Sequence, residues 1–149
     1  MGDSEEHAML LCNYFNYIDL VSNRQAIGND ASIKQDYESY IVYGEAQPIG
    51  ECWFVARRDK KLPNIELWNP MTGECYTFDR QQASSASALA KSSTSANATR
   101  ENDPRCPLKK IWCVVGQENV WANIQPEDNP VLLNFDLGDK THWAQFLTK

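Results

Sequence analysis

Positive charge is scarce in this sequence: 14 lysines and arginines stand against 20 aspartates and glutamates, a formal net charge of −6 over 149 residues. Sequence-independent nucleic-acid binding needs a positive field to capture phosphates, so the balance argues against that class. Long apolar runs are also missing. No stretch approaches the ~18 residues of a membrane span, and residues 1–6 lack the basic and apolar regions of a secretion signal. A soluble, intracellular domain without membrane insertion is the expectation. The five cysteines, at 12, 52, 75, 106 and 113, are odd in number and form neither a close pair nor a CxxC spacing. That pattern speaks against a disulfide framework and against a zinc site, and fits thiols kept reduced as small buried hydrophobes. No metal or cofactor is expected.

What is present is apolar and aromatic. Hydrophobic residues make up 42% of the chain and include five tryptophans, enough for one core and hence one domain over 1–149. Asp3 suits an N-cap with Glu6 three positions on, and Ala8, Leu11, Cys12, Phe15 and Ile18 recur at helical spacing. The spacing predicts a helix over about 4–19. Met9, Leu10, Tyr14 and Tyr17 make its other faces apolar too, so it reads as embedded. Residues 22–36 lack periodicity and read as a loop or insertion. Strand signals follow at 38–44, 52–58, 65–68 and 74–78, with a hairpin implied by Asn69-Pro70-Met71-Thr72-Gly73.

From about 80 to 105 the composition turns to Ser, Ala and Thr, with Leu89 the lone large aliphatic. Such a segment buries too little to offset its ordering entropy and reads as a disordered insertion inside one domain. Strand-like runs return at 110–115, 120–124 and 132–137. Trp143, Phe146 and Leu147 are then spaced for one face of a closing helix after an Asp139 cap. The predicted class is α+β: a buried N-terminal helix on an antiparallel sheet, with a terminal helix.

A helix leading into an antiparallel sheet is the layout of papain-like thiol enzymes, in which the helix dipole and a nearby imidazole favour thiolate at the helix N-terminus. Three short motifs resemble the transglutaminase-like members of that group. Their Gly-x-Cys-x-Asp/Glu-x-Ala helix start is matched by Gly2-Asp3-Ser4-Glu5-Glu6-His7-Ala8, which puts Ser4 where the resemblance implies a nucleophilic cysteine. Their His-Ala-Trp strand is matched by Glu51-Cys52-Trp53, with Glu51 in place of the base. Their Asp-Pro is matched by Asn69-Pro70, with Asn69 in place of the orienting acid. The resemblance therefore implies a papain/transglutaminase-like fold kept without its reaction. Ser4, Glu51, Trp53 and Asn69 would mark a vestigial cleft.

Longer blocks are similar to the ciliary coiled-coil and C2-domain proteins of this superfamily. They include 6–15, 67–70 with Gly73 and Tyr76, 106–109, 119–125, and Asn134-Phe135-Asp136 with Trp143. A related centrosomal protein carries a similar domain. This resemblance implies a non-enzymatic scaffold at the cilium base, in the cytoplasm, at the basal body and transition zone. Its partners would be other proteins of a tectonic and Meckel-syndrome type complex supporting ciliogenesis.

Other features have competing readings. Cys12 with His7 would be a displaced thiol pair, but it lies two turns into the helix on the apolar stripe, where dipole activation is gone. Ser4 and His7, at i and i+3, lack an orienting acid. His142 reads as a surface residue. The tryptophans read as core, with Trp53 the exception that borders the cleft. Arg57, Arg58, Lys60 and Lys61 form a basic cluster at an expected hairpin tip, either a solvated turn or a surface for acidic peptides such as tubulin tails. A residual thiol or serine peptidase or transamidase is the enzymatic alternative.

Overall fold

The computed structural model describes residues 3–26, 36–62, 64–79 and 105–147. Most of the 80–105 insertion and most of the 22–36 loop lie outside them. One helix, α1 (Ser4–Ala26), precedes seven strands: β1 (Tyr37–Ala46), β2 (Gly50–Asp59), β3 (Asn64–Trp68), β4 (Cys75–Asp79), β5 (Leu108–Val115), β6 (Val120–Asn123) and β7 (Trp143–Gln145). They form one sheet in the order β4-β3-β2-β1-β5-β6-β7, with every pairing antiparallel. The described residues form a small α+β domain with one helix on an antiparallel sheet.

Both faces of the sheet are covered, which the alternation along each strand makes possible. On one face Val42, Phe54, Ala56, Ile65, Leu67, Tyr76, Phe78, Ile111 and Val114 meet Leu133, Phe135, Leu137 and Trp143 in the larger core. On the other, Val55 with Ile41, Trp53 and Trp68 receives Ala8, Cys12 and Phe15 of the helix.

The helix starts as the sequence predicts: the Asp3 carboxylate accepts the Glu6 N–H at 3.2 Å. It runs to Ala26, well past the expected end near 19, because neither Gly nor Pro interrupts it and Asp19 is tied to the sheet through Arg57. It is also less buried than expected. Leu10, Tyr14 and Tyr17 are 60–69% exposed, so α1 lies on the surface with one face inward.

Two further expectations change in the last forty residues. The run at 132–137 is not a strand, and Trp143, Phe146 and Leu147 do not share a helix face. The cause is a succession of turns in which an Asn or Asp side chain accepts the N–H two residues on: Asn123 from Gln125, Asn129 from Val131, Asn134 from Asp136, Asp136 from Gly138 and Asp139 from Thr141. Each satisfies locally an N–H that a ladder would otherwise use. Asp139 caps a turn, and the chain then adds β7 to the edge of β6. The Thr141 hydroxyl and backbone N–H and the His142 ring together lower the Asp139 carboxyl to about 2. A depressed carboxylate stabilises the fold above its ordinary range and loses that contribution as pH falls through the folded value. Acid loosening of this turn is therefore expected to begin below the ordinary aspartate range and to be complete as pH falls through about 2.

Candidate functional site

The three motif segments converge on the helix-bearing face of the sheet. Ala8 from the first, Trp53 from the second and Trp68, which directly precedes the third, all belong to the cluster around Val55. The residues standing at the matched catalytic positions are each occupied elsewhere or unassisted. Ser4 is the first residue of α1. The nearby His7 Nδ1 donates to the Asp3 carbonyl oxygen at 2.8 Å, so the ring closes the helix start. Glu51, exposed on β2, accepts the Tyr43 hydroxyl, which pushes the Tyr43 pKa up. Asn69 is buried and organises the β3–β4 hairpin. Its side-chain oxygen accepts the Met71 N–H at 3.0 Å, its carbonyl accepts the Gly73 N–H at 2.8 Å, and its own N–H donates to Glu74 at 2.9 Å. Among the described residues no hydrogen bond links any two of Ser4, Glu51 and Asn69.

Trp53 is one rung of an aromatic ladder across three strands. Its ring lies 4.5 Å from Tyr43, which lies 5.4 Å from Trp112 on β5. Cys12 is buried beneath α1, and burial pushes its thiol up to about 11 despite the Asn16 contact. A thiol so shifted is protonated at neutral pH and is a poor nucleophile. His142 is half-exposed, its Nδ1 bonded at 2.6 Å to Asp139. Among the described residues no group of three or more His, Cys, Asp or Glu side chains is placed to hold a metal ion. Nor is any described helix long and apolar enough to cross a membrane.

The basic cluster does not form one surface. Arg57 and Arg58 lie within β2, not at its tip, and alternation sends them to opposite faces. Arg57 turns under the helix, its guanidinium over the rings of Tyr37 and Phe15 at 4.2 and 4.8 Å, and pairs with Asp19 at 2.5 Å. Arg58 pairs with Glu38 at 2.9 Å and donates to the Phe135 carbonyl at 2.9 Å. Burial raises Glu38, but its Arg58, Tyr40 and Lys60 partners outweigh that and hold the carboxyl below its ordinary range. Lys60 bonds Glu38 and Asp36, and Lys61 begins the turn with its N–H on Asp59. Two of the four expected peptide-binding cations are thus structural. Composition showed the charges, but not the partners that neutralise them.

Arg57 yields a prediction. Replacing Asp19 with Ala leaves a guanidinium largely enclosed by two rings with no anion. The expected loss is about 2 kcal/mol, seen as a lower urea midpoint, and Arg57→Met should recover part of it.

Among the described residues one helix packed over Trp53 and Trp68 on an antiparallel sheet makes a small α+β domain. The chain belongs to the CEP76 peptidase-like domain family, whose model matches residues 1–146. Among curated proteins it is similar to human Protein CC2D2B, at 29% identity over 149 residues, 100% of this chain and 7% of that protein. It is also similar to Coiled-coil and C2 domain-containing protein 2A of Drosophila melanogaster, at 28% identity over 135 residues, 91% of this chain and 7% of that protein. The chain thus spans a small fraction of the length of these relatives. No solved structure matches it.

Proposed function

We propose that this chain is a non-catalytic interaction domain, built on a transglutaminase-like fold whose reaction has been lost. It would serve as a scaffold in a tectonic and Meckel-syndrome type complex at the ciliary transition zone. The observation that carries the reading is the state of the three matched catalytic positions. They hold Ser4, Glu51 and Asn69; Asn69 is spent on a hairpin turn, Glu51 on Tyr43, and the helix's own thiol, Cys12, is buried and held protonated. Similarity to coiled-coil and C2 domain-containing proteins supports the scaffold role and a place at the cilium base. Loss of chemistry with retention of the surrounding core residues fits a fold kept for binding.

The test is chemical. Native protein at pH 8 should show no stoichiometric modification of Cys12 by iodoacetamide, or of Ser4 by a fluorophosphonate, when labelled sites are mapped by mass spectrometry. Cys12 should react only after unfolding, because about three units separate its thiol from the solution pH and the helix covers it. Stoichiometric labelling of either residue in the folded protein would overturn the non-catalytic reading. Fusion of the domain to a proximity-labelling enzyme in ciliated cells should mark cilium-base proteins; labelling confined to bulk cytosol would remove the localisation.

A further inference from the structure

β1 is paired along its whole length on one side only. β2 matches it from Tyr37 to Ala46, whereas β5 reaches back only as far as Ile41, opposite Val115. There the Gly116 N–H closes on the Asn119 carbonyl at 2.9 Å and turns the chain into β6. Among the described residues, the first four residues of β1 therefore face an open lane. Lys60 N–H donates to the Asp36 carbonyl, which sets the alternation: Glu38 and Tyr40 direct their backbone groups to β2, and Tyr37 and Ser39 direct theirs to the lane. Among the described residues no backbone group meets these two.

Side chains at the same place are also unsatisfied. Ser39 is only 5% exposed and its Oγ has no hydrogen-bond partner; the buried Trp121 Nε1 has none either. Both residues line one cavity of about 410 Å³, together with Tyr37, Tyr40 and Glu118. Successive strand side chains alternate between faces, so a cavity touching all of residues 37–40 must abut the strand's edge. One wall is aromatic, with the Tyr40 and Trp121 rings edge to face at 6.1 Å. Gly116 allows that wall to close on the turn, since a Cβ there would lie 2.9 Å from the Trp121 ring. Glu118 stands exposed at the lip, while Lys60 is already engaged by Glu38 and Asp36.

We infer that this notch receives an extended peptide segment of a partner protein by strand addition, with a basic side chain of that segment set against Glu118. The incoming strand supplies backbone partners to Tyr37 and Ser39 and closes over the place where Trp121 Nε1 and Ser39 Oγ lie without partners. An apolar side chain on the same segment rests against the Tyr40–Trp121 wall. The inference deepens the interaction reading, and rests on it only in that the domain binds rather than cleaves.

Three blocked synthetic peptides test it by NMR on the full chain: Lys-Val-Thr-Val-Lys, its counterpart Glu-Val-Thr-Val-Glu, and the lysine peptide N-methylated at alternate amides. The lysine peptide should shift the Trp121 indole resonance and slow amide exchange at Tyr37 and Ser39 by about tenfold or more. The glutamate peptide should bind at least about tenfold more weakly, and Glu118→Lys should reverse that order. The N-methylated peptide should lose binding because it cannot form the ladder. Unchanged Tyr37 and Ser39 amides, equal binding of the N-methylated peptide, or a charge preference indifferent to Glu118→Lys would each overturn strand addition. Any of these leaves the Cys12 and Ser4 labelling results standing, so the two ideas fail separately.

Discussion

Trp143→Ala is expected to cost about 3–5 kcal/mol, among the largest losses available to any single side chain here. Trp143 is 1% exposed, packs 6.3 Å from the Phe135 ring and seals the larger core where the turn-rich segment crosses the sheet. Its indole N–H donates to the Asn134 carbonyl at 2.7 Å, so truncation empties a large volume and removes a hydrogen bond together. Trp143→Phe separates the two effects: it keeps most of the apolar contact and should cost about half as much. Urea unfolding followed by circular dichroism measures both. Equal stability of wild type and Trp143→Ala would mean that β7 does not close the sheet.

Gly44→Ala should be comparably damaging for a different reason. At this position β1 and β5 shift register, and a Cβ would lie 1.8 Å from the Lys110 carbonyl oxygen and 3.2 Å from the Ile111 Cα. Both obstacles are backbone, so no rotamer change relieves the clash. Either the central strand pair opens or the bulge is lost. A loss of about 3 kcal/mol or more is expected, at the upper end of overpacking effects. Gly50→Ala is the control. Its φ of +89° favours glycine, but nothing lies within 4 Å of the added methyl, and about 1 kcal/mol is expected. Thermal melts of the two variants should differ clearly; matching midpoints would place the close approach of β5 in error.

Much of this architecture was legible in local chemistry. The Asp3 cap, the stripe of Ala8, Cys12 and Phe15, and the β-branched and aromatic runs of the first four strands each announce their element; the strands formed within two residues of expectation, and the helix began on time but ran to Ala26. What misled was periodicity over short windows. Apolar spacing at Trp143, Phe146 and Leu147 suits a helix face, yet Phe146 and Leu147 are more than 60% exposed and the segment is decided by hydrogen bonding to β6. At 132–137 the strand-like residues are interrupted by Asn134 and Asp136, whose side chains compete for the backbone.

The site was harder still to read. The motifs proposed a cleft of Ser4, Glu51, Trp53 and Asn69; of these only Trp53 lies in the cluster under the helix, with Ala8 and Trp68. Motif spacing said nothing of Asp19, a helix residue 38 positions from Arg57 that ties one member of the basic run into a half-buried pair. Nor did it single out Ser39. The period-two pattern of Tyr37, Ser39 and Ile41 held a usable signal, because it sets a hydroxyl among residues turned toward the helix.

The chain of side-chain-capped turns bears on how this sequence can drift. Asn129 is exposed and offers only its oxygen, to Val131, so aspartate serves there equally well and related sequences should interchange the two freely. Asn123 cannot drift that way. Its amide nitrogen also donates to the carbonyls of Ile111 and Glu127, at 3.0 and 3.1 Å, and a carboxylate would turn both contacts into repulsion between acceptors. An Asn-to-Asp replacement, the same change on paper at both residues, would accordingly be silent at one and disruptive at the other.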